Sequence, residues 1–254
     1  MSAYYDTIAK PYQRSKQLPY RQVEEYTYFN LLGPLEGKTI LDLGCGEGFY
    51  TRKFKQRGAS RVLGVDISSA MIELAKAQER ENPLGIDYLV ADVLELASLD
   101  RFDLVVASYL LNYAQTQGQL LQMCRVIFDH LKSDGRFVTI NDNSEQDPIS
   151  YQDCAKYGYI KGVTQPLEEG TPITLTFFLE GETFEIVNYH LSRTTYERAF
   201  RTVGFKAVRW LQPLVPPTAI ATFGAHFWDD FLKFSPIVGI ECLKTLRRGD
   251  RHSI

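Results

Sequence analysis

Short runs of aliphatic and β-branched residues alternate with segments of helical period along the first 141 residues of the chain. This alternation predicts βαβ units, and therefore a parallel sheet with helices on both faces. The strands predicted in this part of the chain cover residues 39–43, 61–65, 87–90, 102–107 and 136–140. The apolar spacing of residues 20–32 predicts a helix before the first strand, ended by Gly33 and Pro34.

The pattern changes after residue 141, where a polar loop leads into shorter elements. Two alternating runs on either side of residues 180–182 predict an antiparallel pair of strands. In chain order, the elements predicted here are a helix over 150–159, strands over 173–179 and 184–191, a helix over 194–203, a last strand over 205–211 and an aromatic helical tail over 224–243, interrupted at Pro236. We therefore expect a small added β/α subdomain beside the main sheet.

The composition is that of an ordinary globular protein. The 254 residues are 44% hydrophobic and 23% charged, which provides enough apolar material for one large domain. The formal charge is −3, and no run of Lys and Arg is present beyond Lys244, Arg247 and Arg248. Because this charge pattern offers no basic patch for phosphates, a nucleic-acid partner is not expected.

Cysteine spacing and hydropathy exclude several other classes of protein. The 4 cysteines show no CxxC spacing, so we expect neither a metal site nor a disulfide framework. The N-terminal segment lacks the apolar core of a signal peptide, and no run of about 18 apolar residues predicts a membrane span. The expected location is cytoplasmic, without a membrane partner.

Gly44, Gly46 and Gly48 follow the first predicted strand, at the edge where a parallel sheet binds its ligands. Glycines let the backbone turn sharply and approach a ligand closely. The dinucleotide pattern G-x-G-x-x-G fails here, because Phe49 stands where the third glycine or alanine belongs. The glycine spacing therefore argues against NAD. The three alternating glycines, preceded by Asp42, resemble motif I of the class I methyltransferases that use S-adenosylmethionine (SAM), and this resemblance implies SAM as the ligand.

Carboxylates stand close to this loop and at the end of the second strand. Asp42 would repel a pyrophosphate but attract the ammonium group of SAM, directly or through water. Alternatively, Asp42 only caps the glycine loop. Asp66 ends the second strand, where its carboxylate is expected to accept hydrogen bonds from both hydroxyls of a ribose.

Residues 40–141 contain, in order, the motifs LDLGCGEGFYT, LGVDISSAMIELA, IDYLVADV, FDLVVASYLLNYA and LKSDGRFVTIN. This series resembles that of the class I SAM-dependent methyltransferases. The resemblance implies a doubly wound, Rossmann-like α/β sheet of seven strands, the last of them antiparallel. It also implies that Asp92 and the backbone N–H of Val93 bind adenine, with Ile67 and Met71 flanking the ring. Alternatively, Asp92 is a helix N-cap, and the two apolar residues belong to the core.

The N-terminal stretch YYDTIAKPYQRSKQLPYR resembles the cap helix of small-molecule methyltransferases. The resemblance implies a lid whose Tyr and Arg side chains close over the methionine end of SAM. Arg21 is the candidate for the SAM carboxylate because guanidinium matches carboxylate geometry, and Arg14 is the alternative. The complete set of predicted cofactor-binding residues is Tyr5, Tyr12, Arg21, Asp42, Gly44, Cys45, Gly46, Gly48, Asp66, Ile67, Met71, Asp92, Val93 and Ser108.

The loop after the fourth strand is expected to face the methyl acceptor. It lacks the Asn/Asp-Pro-Pro-aromatic motif of enzymes that methylate exocyclic base amines or glutamine amides. Tyr109, Asn112 and Tyr113 are predicted to orient the acceptor, although an alternative is that only Tyr109 or Asn112 faces the pocket. His226 and His190 are candidate bases, since an unperturbed imidazole suits the task.

Aromatic residues of the last third of the chain provide candidates for binding a planar acceptor. Tyr157, Phe227 and Trp228 are predicted to enclose it, or alternatively to pack the added subdomain. The segments LNYAQTQGQLLQMC, EGFYTRKFKQRGA and FGAHFWDDFLKFSPIVGIECL resemble bacterial methyltransferases of the toxoflavin-biosynthesis type. That resemblance implies methylation of a nitrogen on a small heterocycle.

The sequence thus predicts one domain over residues 1–254, with a lid at 1–35, a SAM-binding core at 36–141 and additions for the substrate pocket at 142–254. The predicted reaction transfers a methyl group from SAM to a nitrogen or oxygen of a small heterocyclic or aromatic molecule. It leaves S-adenosylhomocysteine (SAH) and needs no metal. The predicted assembly is a monomer or homodimer. The alternatives are an NAD-dependent oxidoreductase and a protein that binds SAM without turnover.

Overall fold

The computed structural model describes residues 2–96 and 99–245, so Arg247 and Arg248 lie outside the described residues. The helices are α1 Ser2–Arg14, α2 Tyr20–Leu32, α3 Phe49–Gln56, α4 Ser69–Glu81, α5 Gln117–Asp129, α6 Arg193–Val203, α7 Pro217–Phe223 and α8 Asp229–Phe234. The strands are β1 Thr39–Leu43, β2 Arg61–Asp66, β3 Asp87–Val90, β4 Phe102–Ser108, β5 Leu131–Asp142, β6 Tyr159–Gly162, β7 Pro172–Leu179, β8 Glu182–Tyr189, β9 Ala207–Leu211 and β10 Ile237–Leu243.

The main sheet is seven-stranded, in the order β3-β2-β1-β4-β5-β10-β9. Strands β1 to β5 run parallel to one another, with Leu41 of β1 opposite Leu63 on one side and Val105 on the other. Strand β10 runs antiparallel to both β5 and β9. The structure therefore confirms the predicted doubly wound, Rossmann-like sheet with an antiparallel last strand.

Both faces of this sheet are covered, which explains why its central strands are almost continuously apolar. Successive side chains of a strand point to opposite faces. Ile40 accordingly belongs to a buried cluster with residues of α2 and α3, such as Tyr28 and Phe54. Leu41 belongs to a second cluster with residues of α5 and α6, such as Phe200.

A second, three-stranded sheet in the order β6-β7-β8 forms the added subdomain. The predicted antiparallel pair corresponds to β7 and β8, joined at Gly181, which has a φ of 80°. The prediction of an α-helix over 150–159 is wrong in detail, because residues Pro148–Tyr157 form a 3-10 helix and β6 begins at Tyr159. Tyr159 and Phe177 pack in the same cluster as α2, so the subdomain lies against that helix.

The predicted helical tail over 224–243 is wrong in its second half. Residues Ala225–Trp228 form a 3-10 helix and α8 follows, but β10 begins directly after Pro236. All residues of β10 are buried, so the strand shows no alternation of polar and apolar positions. Proline cannot continue a helix, and the β-branched residues after it favour a strand. A fully buried strand and a buried helix cannot be separated by periodicity alone.

Shortening a side chain in the middle of β10 tests the importance of this strand. Ile240 is fully buried between β5 and β9, so we expect Ile240→Ala to lower the free energy of unfolding by about 2–5 kcal/mol. Val187 on β8 is 41% exposed, and Val187→Ala should change the stability by about 0.5 kcal/mol or less. Urea denaturation measures both. Equal losses in the two variants would contradict the role given to β10.

Candidate functional site

A cavity lies at the carboxyl ends of the parallel strands; we call it the strand-end cavity. It contains about 820 Å³ of space outside atoms, open solvent included. Most of the predicted cofactor-binding residues line it, together with two residues of the loop after β4. The predicted residues that it brings together are Tyr5, Tyr12, Gly44, Gly46, Asp66, Ile67, Met71, Asp92, Val93, Ser108, Tyr109 and Tyr113.

The loop between β1 and α3 adopts a conformation that its alternating glycines permit. Gly44, Gly46 and Gly48 have φ values of 69°, 55° and 83°, which most other residues adopt only with strain. A Cβ atom on Gly48 would lie 2.5 Å from the hydroxyl oxygen of Tyr88. The N–H groups of Gly44 and Cys45 donate to the carbonyl of Val65, which fixes the loop against the end of β2.

Asp66 at the end of β2 faces the strand-end cavity. One of its oxygens accepts from the N–H of Gly46 at 2.8 Å, and the other accepts from the N–H of Ser68 at 2.9 Å. Burial raises the pKa of Asp66, while these two hydrogen bonds act in the opposite direction. Since a carboxylate has about four lone-pair positions, Asp66 retains capacity for hydroxyl donors of a ligand.

Asp42 is placed behind the glycine loop and does not line the strand-end cavity. Its carboxylate is buried and accepts a 2.6 Å hydrogen bond from the hydroxyl of Thr51 on α3. Burial raises the pKa of Asp42 to about 7. This geometry places the carboxylate away from the strand-end cavity and pairs it with α3 rather than with the glycine loop. Cys45 and Gly48 are also buried and absent from the cavity wall.

Asp92 is the N-cap that one interpretation offered, and adenine binding by this residue stays a prediction. Its side chain accepts from the N–H of Leu94 at 2.8 Å and so caps the short 3-10 helix that follows β3. The residue also lines the strand-end cavity beside Val93, and Ile67 and Met71 contribute apolar surface to the same cavity. A polar edge and apolar faces are therefore available to a planar group in this part of the cavity.

Helix α1 lies over the strand-end cavity, with Tyr5 and Tyr12 in its wall. Two hydrogen bonds to the carboxylate of Asp6 hold α1 in this position. The carboxylate accepts from the hydroxyl of Ser68 at 2.6 Å and from the N–H of Ala70 at 3.1 Å. These contacts place α1 on the N-terminal turn of α4. The hydroxyl of Tyr5 also pairs with that of Tyr113 in the loop after β4.

A second cavity, which we call the tyrosine cavity, adjoins the first and shares Tyr12, Tyr109 and Tyr113 with it. It lies between the ends of β5 and β10, helix α2 and the three-stranded sheet. Its wall is mostly aromatic and aliphatic, with a few polar groups. The remaining lining residues are Tyr20, Arg21, Asp142, Tyr159, Leu175, Phe177, Ile186, Asn188 and Ile237. Arg21 therefore faces this second cavity and not the strand-end cavity, contrary to the prediction.

The carboxylate of Glu24 organises one side of the tyrosine cavity. Glu24 is fully buried and accepts from Arg21 Nη1 at 2.6 Å, from the hydroxyl of Tyr50 at 2.6 Å and from the hydroxyl of Tyr109. Tyr109 has a φ of 63°, a left-handed conformation that is uncommon for a bulky residue. The pairing of Glu24 with Arg21 compensates a charge that would otherwise be costly to bury.

Asp142 at the end of β5 forms the second charged contact of this cavity. Its carboxylate lies 3.1 Å from Nζ of Lys161 and also accepts from the side-chain amide of Asn188. Lys161 is buried and donates as well to the carbonyl of Pro236 at 2.9 Å. Asp142 is not among the predicted site residues. Its position is nevertheless indicative, because it ends β5 as Asp66 ends β2.

Two of the predicted catalytic residues lie outside both cavities. Asn112 is buried, and its side-chain oxygen accepts from the N–H of Asp142 at 3.2 Å. It lines a smaller third cavity together with His190, whose pKa is lowered by burial. The side chain of His226 is 99% exposed and lies 3.0 Å from Asp229. The structure therefore does not support acceptor contacts by Asn112 or His226.

The predicted aromatic enclosure of the acceptor is also not found. Tyr157 and Trp228 are buried and stack with ring centroids 5.5 Å apart, and Phe227 packs edge-on against both. The hydroxyl of Tyr157 donates to the carbonyl of Phe227 at 2.9 Å and accepts from the N–H of Phe231. None of the three predicted residues lines the two joined cavities, so the packing alternative describes them.

The sheet order, the glycine loop and the acids at the strand ends together define the class I SAM-dependent methyltransferase fold. Residues 40–135 match the methyltransferase domain family. The chain is 24% identical to a putative S-adenosylmethionine-dependent methyltransferase from Listeria monocytogenes, whose structure aligns over 88% of this chain and 97% of that one with a TM-score of 0.62. For a Mesorhizobium loti methyltransferase the identity is 23%, the coverage 87% and 97%, and the TM-score 0.63.

One curated relative is a ubiquinone biosynthesis O-methyltransferase of Rhodopseudomonas palustris, 35% identical over 114 residues. The match covers 44% of this chain and 44% of the relative. The chain spans about half the length of the curated relatives it matches. The toxoflavin-type resemblance has no counterpart among these findings. Residues 40–135 thus match a methyltransferase domain, and the fold of the chain is shared with solved structures of S-adenosylmethionine-dependent methyltransferases.

Within residues 2–96 and 99–245, no helix combines the length and the apolar character that crossing a bilayer requires. In the same ranges, no group of three or more His, Cys, Asp or Glu side chains is arranged to hold a metal ion.

The raised pKa of Asp42 predicts a change in the pH dependence of stability. The folded pKa, about 7, lies above the ordinary value of about 3.9, so the folded state binds this proton more tightly. The corresponding stabilisation is complete below about pH 4 and is lost as the pH rises through 7.

Asparagine at this position keeps an acceptor for Thr51 but has no proton to lose. When the pH is raised from 5 to 8, the free energy of unfolding of Asp42→Asn should therefore fall by about 2 kcal/mol less than that of the native protein. Urea unfolding of the ligand-free protein at both pH values measures this difference. Asp153→Asn changes an exposed carboxylate and is the control. Parallel pH profiles for Asp42→Asn and the native protein would refute the assignment.

Proposed function

We propose that this protein is a SAM-dependent methyltransferase that acts on a small planar molecule. The observation that carries the proposal is the pair of adjoining cavities, whose walls share Tyr12, Tyr109 and Tyr113. One cavity has the elements of a nucleoside-binding site, and the other has an aromatic wall suited to an acceptor. A methyl group can pass only between ligands that meet, and the shared tyrosines mark the place where they would.

The residues of the strand-end cavity fit SAM. Asp66 has free lone pairs for ribose hydroxyls, Asp92 and Val93 offer a polar edge to adenine, and Gly44 and Gly46 expose backbone where a side chain would intrude. When bound there, SAM would supply a methyl group activated by a positively charged sulfur, and transfer would leave SAH. This fit, together with the family match of residues 40–135, favours SAM over NAD.

The tyrosine cavity supplies the positioning that methyl transfer requires. Transfer from a sulfonium is an in-line displacement, so holding the acceptor in line and excluding water can provide much of the rate enhancement. Tyr109 and Tyr113 stand at the junction of the two cavities, and Glu24 fixes the hydroxyl of Tyr109. These side chains would hold the acceptor facing the strand-end cavity.

The acceptor atom is proposed to be a nitrogen or a hydroxyl oxygen. The O-methyltransferase relative gives support to oxygen, and the toxoflavin-type resemblance gives support to nitrogen on a heterocycle. A small-molecule partner, a cytoplasmic location and a monomeric or dimeric state remain predictions from the sequence. A protein that binds SAM without turnover would have no use for a second cavity beside the first, so catalysis is the favoured function.

The assignment of Asp66 predicts a loss of SAM affinity in Asp66→Ala. Removing the charge-assisted contact with the ribose should cost on the order of 2 kcal/mol, which corresponds to a more than tenfold weaker dissociation constant. Titration calorimetry measures the affinity. Asp87→Ala removes an exposed acid of β3 and should leave the affinity unchanged. SAM binding of native strength to Asp66→Ala would reject this assignment.

The position of Tyr109 predicts a loss of turnover in Tyr109→Phe. A screen for SAH release across small heterocycles, amines and phenols identifies an acceptor, for which kcat/KM is then compared. Without the hydroxyl that binds Glu24, the ring is held less firmly, and kcat/KM should fall by about tenfold. His226→Ala, on the exposed surface, should keep full activity. SAH release only with protein or RNA substrates would overturn the small-molecule proposal.

A further inference from the structure

The polar groups of the tyrosine cavity indicate which chemical features an acceptor carries. Two residues of its wall, Arg21 and Asn188, are each only 4% exposed. In the part of the chain that the structure describes, Arg21 Nε, Asn188 Oδ1 and the hydroxyl of Tyr159 have no hydrogen-bond partner although they are buried. A hydroxyl can donate or accept and so does not restrict the ligand, whereas each of the other two atoms does. Leaving such an atom unpaired costs free energy, so a ligand that pairs with both Arg21 Nε and Asn188 Oδ1 is favoured.

Arg21 Nε and Asn188 Oδ1 need hydrogen-bond partners of opposite kinds. Arg21 Nε carries a hydrogen and can only donate, so it needs an acceptor such as a carbonyl oxygen. The amide nitrogen of Asn188 already donates to Asp142, which leaves the amide oxygen, Oδ1, without a partner. An amide oxygen can only accept, so it needs a donor. A ligand that satisfies both therefore has one hydrogen-bond acceptor and one hydrogen-bond donor, as a carboxamide or a ring lactam does.

The charges of the cavity point to a neutral ligand. Arg21 is paired with Glu24, and Asp142 is paired with Lys161, so each charged residue of the wall already has a counter-charge. A carboxylate on the ligand would have to compete with Glu24 for Arg21 while lying in the same cavity as Asp142. A cation on the ligand would have to compete with Lys161 for Asp142 while lying in the same cavity as Arg21. Neither charge is compensated without breaking an existing buried pair.

We propose that the tyrosine cavity selects a neutral, planar acceptor that bears an amide-like pair of hydrogen-bonding groups, read by Arg21 Nε and Asn188 Oδ1. This inference rests on the proposed function for its description of the ligand as a methyl acceptor, but the binding preference is independent of turnover. The aromatic wall holds the ring, and the two polar atoms fix its orientation within the plane.

The test is calorimetric binding of four small probes in the presence and absence of SAH. 4-Hydroxybenzamide has both groups, 4-hydroxyacetophenone has only the carbonyl, 4-methylphenol has neither, and 4-hydroxybenzoate is charged. We expect 4-hydroxybenzamide to bind at least about tenfold more tightly than 4-methylphenol and 4-hydroxybenzoate, with 4-hydroxyacetophenone between them. A benzoate that binds as tightly as the benzamide, or no binding of any probe, would overturn the proposal.

Two variants assign the contacts. Arg21→Lys keeps a cation for Glu24 but removes the Nε donor, so it should weaken both carbonyl-bearing probes about tenfold and leave 4-methylphenol unchanged. Asn188→Ala should weaken 4-hydroxybenzamide more than 4-hydroxyacetophenone. Any general damage from losing the bond to Asp142 would affect all probes alike, so the difference between probes is the readout. Equal weakening of every probe would refute the assignment.

The control variant is Gln22→Ala, which changes an exposed residue of α2 and should bind all probes as the native protein does. The experiment separates the two proposals. Selective binding of 4-hydroxybenzamide without methyl transfer to any acceptor would reject the proposed function but retain this inference. SAM-dependent methylation of small molecules, combined with equal binding of all four probes, would retain the proposed function but reject this inference.

Discussion

The buried carboxylate of Glu24 is the contact on which the shape of the site depends. A carboxylate in this position is tolerated only because donors from its own helix, from α3 and from the loop after β4 converge on it. The same donors are thereby fixed: Arg21 is held against the tyrosine cavity, and the ring of Tyr109 is held between the two cavities. One charge thus sets the position of groups that belong to separate segments of the chain.

The two cavities are built in different ways. The strand-end cavity depends on backbone: sharp turns at Gly44 and Gly46, and acids placed where parallel strands end. The tyrosine cavity depends on side chains contributed by α2, by the ends of β5 and β10 and by the three-stranded sheet. The strand-end cavity therefore depends on the fold of the central sheet. The tyrosine cavity depends on segments added around that sheet, which can change without disturbing the strand-end cavity.

This difference explains how much could be predicted from the sequence. Asp66 and Asp92 were recognisable because strand ends of a parallel sheet meet at one edge, and the structure brings both to the predicted cavity. Asn188 and Asp142 come together only through the packing of the three-stranded sheet, which no local pattern reveals. Arg21 was chosen for the SAM carboxylate from the cap-helix resemblance and the shape of guanidinium, but neither could reveal that Glu24 pairs with it or that it lines the tyrosine cavity. The aromatic rings near Trp228 carried no signal that distinguished packing from ligand binding.

The left-handed backbone at Tyr109 has a consequence for how the acceptor range of such a protein can change. Glycine and asparagine adopt a φ near the 63° observed here more readily than tyrosine does. Either residue therefore suits this backbone conformation, and each would remove both a ring that belongs to the walls of the two cavities and a donor to the buried carboxylate of Glu24. An exchange at this position would enlarge the space proposed for the acceptor, but Glu24 would need another donor in place of the tyrosine hydroxyl. A change in the size of the proposed acceptor is thus coupled, through Tyr109, to residue 24 on α2.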